Sequence, residues 1–325
     1  GAYNSRYTGD PPAFYDVWWG AFGVSLFFMI SGFVILMTAQ AGGATRFAIS
    51  RLARLYPAYW AALTIAVIVG AVVKVPGTPV SPGVVVANLT MVQRWFFVDN
   101  VNDAFWTLAV EMQFYVLLFV LLLVTRARLT DSVMRWVAAA WLVLALAVAT
   151  VVYPHAHGLD PQLVPASAKI LINVIMAEYG PLFCVGMLAY LTRRHGRFEK
   201  LLPGAVCAAV LTAGLLETWL HAMWVGCLCA VFLFVALRKR TGPLLWAPIQ
   251  WLGKISYSLY VVHSILGYAV IRYTWPIVGR NVAIFVAIGV AMVVSWTVWA
   301  VFEDRVSPWV RRKLTFATAS RSPVV

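Results

Sequence analysis

Nine apolar runs dominate this chain, at roughly 17–40, 56–74, 106–124, 133–153, 170–191, 201–218, 221–237, 252–271 and 281–302. Each is close to the ~20 residues that a helix needs to cross ~30 Å of hydrocarbon. Inside lipid every backbone N–H and C=O must be paired within the element, and consecutive runs of this length achieve that only as α-helices. The chain has 325 residues, 62% of them hydrophobic and 11% charged, whereas soluble domains are about a quarter charged. The expected fold is therefore an all-α, polytopic transmembrane helix bundle, a single domain over 1–325 with the lipid bilayer as its main partner.

Aromatic residues at the ends of the runs agree with this, since amphipathic rings suit the headgroup region: Trp18, Trp19, Tyr59, Trp60, Trp95, Trp106 and Tyr153. The longest connection, about 75–105, is too short for a separate domain. Its apolar piece, Val84–Val92, is expected to form an interfacial or re-entrant helix.

The net charge of +13 comes from 25 Lys and Arg against 12 Asp and Glu. In a soluble protein that balance would point to nucleic acid. Here the basic residues sit in short stretches between apolar runs, so nucleic acid is not an expected partner. Nineteen of the 25 fall within 46–54, 126–135, 193–200, 238–254 and 305–321. The other six are Arg6, Lys74, Arg94, Lys169, Arg272 and Arg280, in the alternate connections. Basic loops mark the cytoplasmic face. The C-terminus is then cytoplasmic and the first residues lie on the outer side of a bacterial inner membrane. The chain opens Gly1-Ala2-Tyr3-Asn4, without Met or signal peptide, so the expectation is a fragment that lacks an earlier transmembrane helix.

Cys184, Cys207, Cys227 and Cys229 all fall in apolar runs and are expected to be small core residues. The sequence has no Cys/His metal spacing, no Gly-rich phosphate loop and no G-x-S-x-G elbow. Neither metal chemistry nor nucleotide hydrolysis is expected.

Five stretches bear motifs. They are Leu26–Ile35 (LFFMISGFVI), Arg51–Trp60 (RLARLYPAYW), Phe105–Tyr115 (FWTLAVEMQFY), Leu252–His263 (LGKISYSLYVVH) and Val301–Asp304 (VFED). In this order they resemble the FFxxSGF, RxxRxxPxYW, WSLxxExxFY, LGxxSYSxYLxH and closing-helix elements of the membrane-bound acyltransferase-3 family. Thr107 stands for the usual Ser and Met112 for a frequent Glu; the closing Pro comes later, in Val306-Ser307-Pro308. The resemblance implies ten transmembrane helices and transfer of acyl groups, often acetyl, to hydroxyls of carbohydrate or other acceptors. It also implies a first helix bearing an Arg and the catalytic His. That helix is not in this sequence, so no residue here inherits its role.

Acyl transfer to a hydroxyl needs a base, an oxyanion stabiliser and a positioned thioester. Intramembrane ionisable groups are costly and invite a functional reading. Glu111 and His263 are the candidates for supporting catalytic roles: Glu111 to orient a partner or an acceptor hydroxyl, His263 to shuttle a proton near the midplane. Structural bonding between helices is the alternative for both. Thr107, Glu111 and Tyr115 recur every four residues and share a face. Arg51 and Arg54, three apart beside Tyr56-Pro57, suit the phosphates of a donor such as acyl-CoA, although topology alone also accounts for arginines there. Ser31, Gly32, Trp106, Thr107, Tyr115, Ser256, Tyr257 and Ser258 are candidate pocket residues, with helix packing the competing reading for Ser31-Gly32. Glu178 lies beside Pro181, where a kink could open a polar cavity. Glu217 and His221 are expected to pair, and His155, His157 and His195 to be ordinary loop residues.

The leading expectation is an O-acyltransferase that moves an acyl group from a cytosolic thioester to a carbohydrate or lipid-linked glycan acceptor of the cell envelope. A proton-coupled transporter or flippase, or an inactive relative, are the alternatives. The sequence leaves the acceptor, the acyl chain length and the oligomeric state open.

Overall fold

A computed structural model describes residues 22–156, 165–238 and 242–319. Arg6, Trp18, Trp19, His157, Lys239, Arg240 and Arg321 lie outside the described residues. In chain order the helices are α1 (Phe22–Gln40), α2 (Ala44–Val73), α3 (Pro82–Leu89), α4 (Phe105–Val124), α5 (Asp131–Ala156), α6 (Ala166–Ile175) and α7 (Gly180–His195). There follow α8 (Leu202–Leu216), α9 (Trp219–Leu237), α10 (Ala247–Val278), α11 (Arg280–Val298) and α12 (Ser307–Ala319), the last two joined by a π-helical segment, Trp299–Val306. There is no strand among the described residues, and the fold is an all-α polytopic bundle.

Among the described residues the apolar runs are helical apart from a break at 176–179, and the count of membrane-length segments is eight, not nine. The exception is α8: its 15 residues reach about 22 Å, short of the ~30 Å layer. Length and composition make this a multi-pass membrane protein. Two helices run longer than expected. α2 begins at Ala44 rather than near 56, because Thr45–Leu55 is rich in good helix formers, and its 30 residues extend about 45 Å. The stretch Arg280–Thr318 is 39 residues long, about 58 Å. Both outrun the apolar layer at their basic ends.

The described residues divide into two compact units, one of 45–113 and 242–319, the other of 22–44, 114–156 and 165–238. In the first, α3 fulfils the expectation of a helix in the long connection. Pro82 opens it, where its missing N–H costs nothing. Its last carbonyls, which have no partner within the helix, are taken by aromatic donors on α2. Tyr59 Oη donates to Asn88 O at 2.7 Å, Trp60 Nε1 to Leu89 O at 3.0 Å, and Tyr56 Oη to Thr90 O at 2.7 Å. The buried Asn88 side chain then closes the connection, donating to Val84 O and Asp99 O (both 2.9 Å) and accepting from Val101 N–H at 3.2 Å.

The second unit is built on close backbone contact. A Cβ on Gly32 would lie 2.3 Å from Phe183 O, and one on Gly186 would lie 2.0 Å from Met29 O. Only glycine lets α1 and α7 approach this far. Phe183 stacks on Phe114 at 4.2 Å, and Phe28 packs against Phe183 at 5.0 Å and Tyr179 at 4.8 Å.

At Pro181 the chain is broken rather than kinked. α6 ends at Ile175, Met176 turns left-handed at φ 51°, and Pro181 opens α7. Trp141 Nε1 donates to the Ile175 carbonyl at 2.6 Å, and Gly180 leaves room for that ring. Cys184 and Cys229 are buried as expected, whereas Cys207 and Cys227 are exposed on outward helix faces.

Candidate active site

Within the first unit, α10 is a line of polar contacts. Tyr257 Oη donates to Leu55 O on α2 at 3.1 Å. Ser258, fully buried, donates to the Glu303 carboxylate of the π-helical segment, and π-helical turns are frequent at functional sites. Tyr260 Oη shares a 2.7 Å hydrogen bond with Thr107 Oγ1 on α4. Asn102 Nδ2 donates to Val261 O at 2.8 Å, and Tyr268 Oη to Asp103 at 2.7 Å. From Ser258 to Tyr268 this line covers about 15 Å of helix.

Thr107, Glu111 and Tyr260 are brought together. Glu111 is buried, and its charge acts on the Tyr260 hydroxyl. The His263 ring lies 5.7 Å from that of Tyr260. However, the His263 side chain is exposed rather than enclosed with Glu111. Its Nδ1 stands 2.7 Å from Tyr260 O. A carbonyl can only accept, so Nδ1 is the donor in this hydrogen bond.

Arg51 and Arg54 line a cleft of about 1550 Å³ between the first turns of α2 and the face of α12. Arg46, Arg311, Arg312 and the single carboxylate Glu303 line it with them, and Arg54 acts electrostatically on Glu303. The cleft exceeds the usual ~300–1,000 Å³ of a small-molecule site. Sequence reasoning assigned Arg46, Arg311 and Arg312 to topology. The signal that could have found them is their place on helices longer than a membrane span needs, Arg46 five residues before Arg51 and Arg311-Arg312 side by side after the last apolar run.

Topology alone predicts arginines that are merely solvated or tied into caps, and the second unit has the latter. There Arg135 forms a two-pronged bond with Glu199 (2.8 and 2.7 Å), and Arg193 caps α9 through Ala236 O and Arg238 O (2.5 and 2.8 Å). Arg194 meets Gln40 at 2.7 Å, and His195 pairs with Asp131 at 2.5 Å. The first unit instead turns five arginines into one cleft.

Several other expected positions are placed differently. Tyr56 is engaged in holding Thr90 O and does not line the arginine cleft. Gly32 faces the backbone of Phe183, which fills the groove an acyl chain would need; the buried Ser31 lies beside it on the same helix. Ser256 is exposed and donates to Gly253 O at 2.8 Å within its own helix. Trp106 is half-buried at the start of α4, and Tyr115 is buried but belongs to the second unit. Glu217 pairs with His221 at 2.8 Å as expected and also bonds Glu178, which sits in the break before α7.

A membrane bundle that holds a cationic cleft, a buried carboxylate and paired hydroxyls has groups that a transfer reaction can use. The profile of the acyltransferase-3 family, described as an acyltransferase domain, matches residues 1–300, and the chain belongs to that family: it is an acyltransferase. It is 28% identical over 291 residues to the acyltransferase MdmB of Streptomyces mycarofaciens, covering 80% of this chain and 70% of that protein. No solved structure matches it.

Proposed function

We propose that this enzyme is an O-acyltransferase of a bacterial inner membrane, drawing on acyl-CoA from the cytosolic side and acylating a hydroxyl of a carbohydrate or other cell-envelope acceptor. One observation carries this reading: the arginine cleft and the Thr107–Glu111–Tyr260 cluster are joined by α10, with Ser258 and Tyr260 only two residues apart. The arginines hold the donor phosphates. Glu111 and the paired hydroxyls orient the acceptor O–H beneath the thioester. The acceptor oxygen attacks the thioester carbonyl carbon, the C–S bond breaks, and the proton lost by the hydroxyl passes to the departing thiolate.

The full-length protein in sealed vesicles, given radiolabelled acetyl-CoA on the arginine side, tests the proposal. Label is expected in a glycan or lipid hydroxyl ester. Hydrolysis or retention of the donor, with no labelled acceptor from a total envelope extract, would overturn it.

A further inference from the structure

The last helix, α12, which closes the long stretch Arg280–Thr318, has a lining face of its own. Ser307, Arg311 and Thr315 recur every four residues, as do Pro308, Arg312 and Phe316, and all six line the cleft opposite Arg46, Arg51 and Arg54. Arg311 and Arg312 are therefore on the far wall from the arginines of the sequence motif. One row of arginines is enough for one phosphate group. Two rows facing each other across about 1550 Å³ suit a ligand whose anionic groups are spread apart. Phe316 adds a second kind of contact. It lines the same cleft and is 75% exposed, so its ring is open to a flat partner, and nucleobases stack on such rings.

We infer that α12 is the nucleotide wall of the donor site: Arg311 and Arg312 hold a phosphate separate from the one at Arg51 and Arg54, and Phe316 stacks the base. The helix thereby selects thioesters whose carrier bears both a diphosphate and a further ribose phosphate. This rests on the donor reading above and goes beyond it, since it assigns selectivity to a segment outside the shared motifs.

The test is binding of coenzyme A, 3′-dephospho-coenzyme A and pantetheine to the purified full-length protein in lipid nanodiscs. The wild type is expected to bind coenzyme A at least tenfold more tightly than the dephospho form. In R311A/R312A that ratio should fall towards one, with pantetheine binding unchanged; R311K/R312K should restore part of it. F316A should weaken both nucleotides about equally and leave the ratio intact. Because all three side chains are exposed, these variants are expected to fold. An unchanged ratio in R311A/R312A overturns the α12 assignment and leaves the donor site standing. Failure of the wild type to bind coenzyme A overturns the donor reading, and the assignment with it.

Discussion

Tyr260 and Thr107, 153 residues apart in the chain, share a 2.7 Å hydrogen bond between their hydroxyls. Thr107 Oγ1 also lies 3.0 Å from Ala104 O, so this pair anchors α10 to the first turn of α4, one turn above the buried Glu111.

Glu111 is the residue whose loss should cost most turnover. E111Q keeps the shape and removes the charge, and kcat is expected to fall by about 10²–10³. Y260F should cost only about tenfold, the worth of one orienting hydrogen bond. Steady-state rates of acyl transfer decide this; an E111Q enzyme at wild-type kcat would reduce the carboxylate to a packing role.

Donor affinity should depend on Arg51 and not on Tyr56. R51A is expected to raise the KM for acyl-CoA at least tenfold, with kcat little changed, because a phosphate contact distant from the thioester binds ground and transition states alike. Y56F removes a bond to Thr90 O and should leave that KM within about twofold. Paired kinetic measurements on the two variants check this.

Glu199 gives a dependence of stability on pH. The hydrogen bond from Arg135 holds its carboxyl below the usual range. A lowered acid pKa stabilises the folded state above about pH 4–5, and that contribution is lost as pH falls through the folded value. Arg135 is partly exposed, so the pair contributes no more than about 1 kcal/mol at neutral pH. Thermal unfolding in detergent should show E199Q below wild type at pH 7 and level with it near pH 3.

Gly186 should tolerate nothing larger. G186A puts a methyl 2.0 Å from Met29 O, and overpacking of that kind is expected to cost about 3 kcal/mol. G226A is the control, because its Cβ would meet Val210 Cγ2 at an ordinary 3.5 Å. Yield and melting temperature of the two variants should separate clearly.

Much of the fold was legible in advance because the bilayer imposes it locally: ~20 apolar residues make a span wherever they occur. That rule placed nine apolar runs and misjudged where the helices within them begin and end. It missed that α8 is short and that α2 and α12 project past the apolar layer. It also took Pro181 for a kink, because the αL turn at Met176 and the Trp141 bond to Ile175 O depend on a neighbour 34 residues away.

The site divides in the same way. Residue type, motif and spacing were enough to single out Glu111, Arg51, Arg54 and Ser258, since charge and helical phase are properties of adjacent residues. Only the tertiary structure could turn Tyr56 towards Thr90, fill the face of Gly32 with the backbone of Phe183, leave His263 exposed, and set Arg311 and Arg312 across from Arg51. Each of these depends on which distant segment packs opposite, and hydrophobicity, which drives a helix into lipid without regard to its neighbours, says nothing about that choice.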